Sequence, residues 1–317
     1  MNGLRQSVFH DSRPAMGTMA EIYLATEDPA RASELFEAAF AEIEYAEATL
    51  SRYRPNSEIS RINASAAEGD VTVDPELFGL LKLAREYGRI SHGAFDITVG
   101  PLVNAWGFSG GQGRRPSRRE LSSARDRSGW RLLELTESQR TVRFLRDGVE
   151  IDLGAIGKGW ALDRAAAVLC RHGVGNALLG AGASSYLALG HPPDQDGWIV
   201  NVTDPTDTSR VLTALQLSDA ALATSGANQK FFEVDGKRYS HIIDPRTGSP
   251  VEGMLQVTVL AEKATDADVL ATALFVLGPD SGPRLLPEGQ MRGALFVLDA
   301  PGRRRVVEVD WPDDNRP

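Results

Sequence analysis

Three polar side chains towards the C-terminal end of the sequence have types and spacings that suit catalysis or metal binding. His241 precedes Ile242, Ile243 and a turn containing Pro and Gly, so we expect it at a strand end beside a rigid turn. A histidine there suits a positioned acid or base, and it equally suits a core histidine bonded to a backbone carbonyl. Asp268 and Thr272 lie four residues apart in a helical pattern, which places them on one face. Their oxygens suit Mg²⁺, although an aspartate near a helix start also stabilises the helix dipole.

Two glycine-rich segments invite comparison with phosphate-binding loops, and both lack the required context. Gly154–Gly159 (GAIGKG) contains Gly-Lys without the rest of a P-loop pattern. Gly180–Ser185 (GAGASS) follows one predicted strand and precedes another, whereas a dinucleotide-binding loop precedes a helix. Both segments are either tight turns or places where backbone amides approach a ligand. Lys158, within the first segment, could then face a phosphate.

Two more segments could line a pocket. Asp96, in GAFDITVGP, lies between apolar residues and is either a hydrogen-bonded turn former or a ligand contact. Ser51–Asn63 (SRYRPNSEISRIN) is polar and turn-rich, so it lines a pocket or caps the preceding helix. The lone cysteine, Cys170, lies in an apolar helical stretch and is expected to be a small core residue.

Strand and helix patterns alternate irregularly along the chain, which predicts an α+β fold with mainly antiparallel sheets. Asp235-Gly236 between two strand patterns predicts a type I′ hairpin. The predicted helices start at Asp28-Pro29 and Asp74-Pro75, run from Gly159 to His172, and run from an N-cap at Asp266 to Leu277 before Gly278. The predicted strands are Met19–Leu24, Trp130–Leu135, Thr141–Leu145, Val149–Leu153, Asn176–Leu179, Tyr186–Leu189, Phe231–Val234, Arg238–Ile242, Ala294–Leu298 and Arg305–Val309.

Composition narrows the class of protein. The 317 residues are 42% hydrophobic and 24% charged, with a formal net charge of −9, so a generally basic nucleic-acid surface is not expected. No window approaches the roughly 18 apolar residues that a membrane span needs. The first residues contain no apolar signal region and no lipid-attachment cysteine. The sequence therefore predicts a soluble, cytoplasmic protein without membrane insertion.

The ordered set of these segments resembles the ApbE family of FAD:protein FMN transferases from about residue 14 to 278. The most specific segment is SHIIDPRTG. The resemblance implies one domain over residues 14–317 after a tail at 1–13, with two packed lobes, a T-fold-like architecture and FAD in the cleft between the lobes. The motifs that carry it are Met16–Thr18, Ser51–Asn63, Gly93–Phe108, Ile151–Asp163, Ala223–Gly226, Ser240–Gly248 and Ala267–Ala273.

The resemblance also implies a reaction and the residues that perform it. Mg²⁺ would be bound by Asp268 and Thr272 with the backbone carbonyl of Gly157, and His241 and Asp268 would be catalytic. The partners would be FAD, as substrate, and a flavin-acceptor protein whose Ser or Thr hydroxyl receives FMN while AMP leaves. The residues implied around FAD are Met16, Gly17, Thr18, Asp96, Lys158, Asp163, Gly182, Ser225, His241 and Ile242.

Several positions depart from the commoner family pattern near the expected flavin pocket. Many members have Gly-Gly-Asp where this chain has Gly182-Ala183-Ser184, and Asp-Tyr followed by Arg where it has Ala227-Asn228 and Lys230. These changes bear on flavin affinity and acceptor preference more than on the metal. Two alternatives remain open on sequence alone, an FAD pyrophosphatase giving FMN and AMP and a non-catalytic FAD-binding protein.

Overall fold

A computed structural model describes residues 7–111, 113–287, 289–300 and 303–312. Its helices are α1 (Pro29–Leu50), α2 (Glu58–Ser65), α3 (Pro75–Ile90), α4 (Gly100–Ala105), α5 (Arg118–Arg125), α6 (Gly157–Arg171) and α7 (Ala264–Leu285). Its strands are β1 (Ser7–Ala15), β2 (Thr18–Thr26), β3 (Val71–Thr72), β4 (Leu133–Thr136), β5 (Thr141–Phe144), β6 (Ala177–Ala181), β7 (Ser185–Leu189), β8 (Trp198–Thr203), β9 (Val211–Leu217), β10 (Ala220–Gly226), β11 (Phe231–Val234), β12 (Lys237–Ser240), β13 (Ile243–Asp244), β14 (Ser249–Pro250), β15 (Met254–Ala261), β16 (Gly293–Ala300) and β17 (Arg303–Val309).

An eight-stranded sheet organises the chain, in the order β1-β2-β6-β7-β10-β15-β16-β17, with every neighbouring pair antiparallel. Helix α6 packs against both α1 and α7, and all three helices pack against this sheet. The β8–β9 ribbon packs on the sheet separately, through a cluster that includes Trp198, Val200 and Leu222. The predicted α+β fold with mainly antiparallel sheets and flanking helices is therefore confirmed.

The remaining elements form smaller units beside the main sheet. Strands β3, β5 and β4 form a three-stranded antiparallel sheet, and β11 pairs with β12. The core under α3 and the segment from Phe95 to Ile97 is continuous with the main core. A separate apolar cluster around Trp106 and Tyr239 joins α4 and α5 to the β11–β12 hairpin.

The N-terminal segment differs from the prediction of a tail over residues 1–13. From Ser7 onward it is strand β1, which pairs with β2 along its whole length, while residues 1–6 lie outside the described part of the chain. The sequence pattern did not predict this strand, because it is an edge strand with both faces largely accessible and therefore shows no alternation of apolar and polar residues. Its Pro14 is tolerated because an edge strand need not donate from every amide.

Two other local predictions are wrong for identifiable reasons. Val149–Leu153 is buried but is not a strand, because its backbone bonds to a side chain and to a neighbouring turn. The amide of Ile151 donates to Asn63 Oδ1 at 2.7 Å, and the amide of Asp152 donates to the carbonyl of Ile97 at 2.8 Å. Cys170, expected in the core, lies on the exposed side of α6.

The predicted type I′ turn is confirmed, whereas the predicted ends of α7 are confirmed only in part. Asp235 and Gly236 have φ values of 53° and 71°, as a type I′ turn requires. Gly278 breaks α7 with φ 75° and ψ 172°, although a further helical stretch follows it. The helix begins earlier than predicted, at Ala264, so Asp266 is not its N-cap.

Within the described residues, every helix is too short or too polar to cross a membrane.

Candidate functional site

The turn between β1 and β2 brings five of the predicted residues together. Met16 and Gly17 have φ values of 54° and 73°, so they form a two-residue turn of the type that tight hairpins favour. The turn lays Met16 against Gly157, where an added Cβ would lie 3.4 Å from Met16 Cε. It also lays Thr18 against Gly182, where an added Cβ would lie 2.6 Å from Thr18 Oγ1. Side chains at either glycine would therefore crowd this turn.

Asp268 is buried to the same extent as Asp96, at 7% exposure. Its Oδ2 accepts a hydrogen bond from the amide of Gly159 at 2.6 Å, and its Oδ1 accepts one from Ser185 Oγ at 2.7 Å. Burial raises the pKa of Asp268, while the ammonium of Lys158 and these two hydrogen bonds act in the opposite direction. The carboxylate therefore depends on its neighbours to hold a negative charge.

The oxygens around α7 form a donor set that suits Mg²⁺. Thr272 lies one turn after Asp268, and its Oγ1 is 3.1 Å from Ser225 Oγ. The site thus combines one carboxylate with hydroxyls, and Mg²⁺ commonly takes one or two protein carboxylates while keeping waters and substrate phosphates. Among the described residues, no three or more His, Cys, Asp and Glu side chains lie together in a group that could hold a metal ion.

The backbone carbonyl of Gly157 is less well placed than expected. Gly157 is the first residue of α6, and Ile156 is its N-cap. Carbonyls in the first turn of a helix point along its axis towards amides four residues later. A metal role for Gly157 therefore stays a prediction.

Lys158 lies in the first turn of α6 and donates from Nζ to Ser184 Oγ. The N-cap residue, Ile156, provides no side-chain cap, and the first-turn amide of Gly159 is bonded to Asp268 instead. The positive end of the helix and the ammonium of Lys158 therefore act in the same place, which suits a phosphate group.

His241 is held at the junction of β12 and β13. Its Nδ1 lies 3.0 Å from the carbonyl oxygen of Lys230. Since a carbonyl can only accept, Nδ1 carries the proton and Nε2 keeps its lone pair. Burial lowers the pKa of His241 to about 4; the hydrogen bond to the Lys230 carbonyl and the charge of Asp152 oppose this shift, and the charges of Lys230 and Lys158 assist it. Phe108 contacts the ring edge-on, with centroids 6.4 Å apart. The imidazole is therefore neutral near pH 7, with a free basic nitrogen.

Ile242, the residue after His241, is 8% exposed and belongs to the main core. Its carbonyl accepts a hydrogen bond from the amide of Val251 at 2.9 Å. In the structure Ile242 anchors the segment that carries His241. Its contact with FAD stays a prediction.

Asp163 has an evident structural role. Its Oδ1 accepts from the amide of Ala264 and its Oδ2 from the amide of Thr265, both at 2.9 Å. Asp163 thus satisfies the first amides of α7, the role that the sequence suggested for Asp266. Asp266 instead accepts a 2.7 Å hydrogen bond from the hydroxyl of Tyr87.

Asp96 is also bonded within the protein. Its Oδ1 accepts from the amide of Thr98 at 2.8 Å, and its Oδ2 accepts from the amide of Trp130 at 2.5 Å. Burial raises the pKa of Asp96. The residue lines a cavity of about 410 Å³ together with Trp130 and Arg246, so both alternatives for Asp96, turn former and pocket residue, stay open.

Two residues at this site were not singled out by their chemistry in the sequence. Ser185 binds Asp268, and Asp152 acts on the pKa of His241. Ser185 ends the glycine-rich segment Gly180–Ser185, and Asp152 lies two residues before the segment Gly154–Gly159. Arg52 lies in Ser51–Asn63, the segment expected to line a pocket or cap α1, but its 2.7 Å bond to Asp152 Oδ2, a hundred positions away, had no indication in the sequence.

The fold and site together define a mixed α/β protein whose polar residues converge on the starts of two adjacent helices, and comparisons identify its family. The ApbE family model matches residues 16–296. An FAD:protein FMN transferase of Treponema pallidum is 33% identical over 298 residues, which covers 89% of this chain and 82% of that protein. One of Vibrio cholerae is 34% identical over 308 residues and covers 95% and 91%. The chain belongs to the ApbE family.

Solved structures agree with this assignment. The crystal structure of the ApbE protein from Thermotoga maritima superimposes with a TM-score of 0.85 at 32% identity, covering 94% of this chain and 96% of that one. The flavin transferase ApbE from Vibrio cholerae superimposes with a TM-score of 0.84 at 31% identity, covering 96% and 97%.

Proposed function

We propose that this chain is an enzyme that transfers the FMN half of FAD to a serine or threonine hydroxyl of an acceptor protein and releases AMP, with Mg²⁺ as its metal. Relatives that match most of its length are named FAD:protein FMN transferase. The observation that carries the proposal is that the first turn of α6, with Lys158, meets α7 at the carboxylate of Asp268, one helical turn before Thr272.

The first requirement of the reaction is to hold the pyrophosphate of FAD. Lys158 and the positive end of α6 attract its negative charge. Asp268 and Thr272 would hold Mg²⁺, which when bound neutralises charge on the phosphate oxygens. The flavin contacts that the family resemblance implies for Met16, Gly17, Thr18, Gly182 and Ser225 stay predictions, supported by the closeness of the β1–β2 turn to Gly157 and Gly182.

The second requirement is a base for the incoming hydroxyl. Nε2 of His241 is free to take the hydroxyl proton while the oxygen forms a bond to the FMN phosphorus. The bond from that phosphorus to the AMP oxygen breaks, and AMP leaves with the electron pair. A general base of this kind contributes about 10²–10⁴-fold to a rate.

The proposal is tested by incubating the protein with FAD, Mg²⁺ and several flavin-acceptor domains, and then detecting covalent flavin by fluorescence of the denatured acceptor band. We expect a fluorescent band and an FMN adduct on Ser or Thr by mass spectrometry. Asp268→Asn should abolish both. Asp280→Asn, which changes an exposed carboxylate on the same helix, should leave them intact.

A matched incubation without acceptor separates the alternatives. FMN and AMP formed equally fast with and without acceptor, and no adduct, would identify an FAD pyrophosphatase. Bound FAD that is never turned over would identify a binding protein. The cytoplasmic location expected from the sequence stays a prediction.

A further inference from the structure

Arg52 occupies an unusual position for an arginine beside a candidate active site. It directly follows Ser51, the C-cap of α1, and only 7% of its side chain is exposed. The neighbouring Arg54 has a side chain that is 54% exposed and makes one ion pair, with Glu47. Burying a guanidinium is costly unless acceptors surround it, so the partners of Arg52 show what its burial accomplishes.

One group of partners belongs to the segment that leads into α6. Nη1 of Arg52 donates to Asp152 Oδ2 at 2.7 Å, and Nη2 lies 2.6 Å from Glu150 Oε1. The other oxygen of Asp152 accepts from the amide of Gly154 at 2.9 Å, at the start of the turn before α6. Arg52 is therefore connected through a single carboxylate to the turn that places Lys158.

The second group of partners belongs to α4 and the turn that follows it, where Asn104 also donates to Glu150 Oε2 at 2.5 Å. Nη2 of Arg52 also donates to Asn104 Oδ1 at 2.6 Å and to Ser109 Oγ at 3.3 Å. Ser109 follows Phe108, the ring that contacts His241 edge-on. The same guanidinium thus fixes the backbone that carries the aromatic neighbour of His241.

We propose that Arg52 is a positioning residue that fixes the turn before Lys158 relative to the Phe108–His241 contact. It does so by binding Asp152 on one side and Asn104 and Ser109 on the other. The inference rests on the proposed function, because this positioning matters for catalysis only if His241 and Lys158 act on FAD. A planar guanidinium can satisfy acceptors in several directions at once, whereas a lysine ammonium acts as a point charge and cannot reproduce the fork. Arg52 touches no reacting atom in this role.

Loss of Arg52 has an electrostatic consequence that a purely structural role lacks. His241 faces the cations Lys158 and Lys230 and the carboxylate of Asp152. Arg52 compensates Asp152 and Glu150. Without it their negative charge acts on His241 uncompensated, which favours the protonated imidazole. The pKa of His241 should therefore rise.

The test compares Arg52→Gln and Arg52→Lys with the matched control Arg54→Gln. For each protein we would measure the His241 titration by NMR, assigned with His241→Gln, the kcat and KM for FAD, and the thermal midpoint. We expect Arg52→Gln to raise the His241 titration midpoint by about one pH unit and to lower kcat by about 10-fold or more. Arg52→Lys should remain impaired in kcat, and Arg54→Gln should match the wild type.

Each outcome decides the inference. A lower thermal midpoint with an unchanged His241 titration and unchanged kcat would overturn it and leave Arg52 as a stabilising residue only. If the wild-type protein transfers no FMN, the proposed function fails. The NMR titration and its Arg54→Gln control still decide whether Arg52 controls the environment of His241.

Discussion

The amide of Gly159 donates a 2.6 Å hydrogen bond to Oδ2 of Asp268, and this bond joins the first turn of α6 to α7. The two helices approach so closely that a Cβ added at Gly159 would lie 2.1 Å from the carbonyl oxygen of Ala264. Any side chain at Gly159 must therefore push the helices apart. The position of the buried carboxylate relative to Lys158 depends on this absence of a side chain.

Gly159→Ala should lower the free energy of unfolding by about 1–3 kcal/mol or more, because overpacking at a backbone contact has no flexible neighbour to relieve it. It should also reduce turnover by displacing Asp268. Gly79→Ala is the matched control, since Gly79 also lies within a helix but has nothing within 4 Å of an added Cβ. Alanine there should stabilise by about 0.5–1 kcal/mol. Urea unfolding of both variants measures the difference, and equal effects would contradict the proposed packing.

Asp163→Asn should weaken the start of α7, because an amide offers one acceptor oxygen where the carboxylate serves the amides of Ala264 and Thr265. We expect a loss of about 1–3 kcal/mol in the free energy of unfolding. Asp74→Asn is the control: Asp74 caps α3 through one bond, to the amide of Glu76, and asparagine caps equally well.

The same variant separates two roles for Asp163. If its carboxylate positions α7, the dissociation constant for FAD should change little at temperatures where the variant is folded. A large loss of FAD affinity with normal stability would instead support the flavin contact that the family resemblance implies. Calorimetric titration with FAD, alongside urea unfolding, distinguishes these outcomes.

The sequence predicted the residues that local spacing brings together and missed those that only the fold brings together. Asp268 and Thr272 share a helix face by their spacing alone, and the type I′ turn at Asp235-Gly236 follows from its residue types. The contact between Arg52 and Asp152 could not be predicted in this way, because two segments a hundred residues apart meet there. The capping of α7 by Asp163 is equally non-local, since 101 residues separate Asp163 from Ala264.

His241 should give the transfer reaction an acidic limb at unusually low pH. Burial and the charges of Lys230 and Lys158 lower the pKa of the imidazole to about 4, so the basic form prevails above that value and is lost as pH falls through it. In the pH profile of kcat/KM, the limb should lie near pH 4–5, below the ordinary value of about 6.5 for histidine. His241→Gln should remove this limb and lower kcat about 10²–10⁴-fold. A limb at pH 6–7 in a protein that circular dichroism finds folded would contradict the burial of this group.

Thr272→Val should raise the Mg²⁺ concentration needed for half-maximal activity by about 10-fold, because it replaces a hydroxyl ligand with a methyl group of similar size. Ser225→Ala, which removes the hydroxyl 3.1 Å from Thr272 Oγ1, should act in the same direction through the orientation of Thr272. Thr224→Val is the matched control. It removes a similar hydroxyl contact, 3.0 Å from Thr258 Oγ1. Thr224 precedes Ser225 on β10, so the two side chains lie on opposite faces of that strand. Activity measured after chelation and stepwise return of Mg²⁺ gives the comparison. Both variants lose a hydroxyl, but only Thr272→Val loses it beside Asp268. Equal Mg²⁺ requirements in Thr272→Val and Thr224→Val would therefore contradict a metal site on α7.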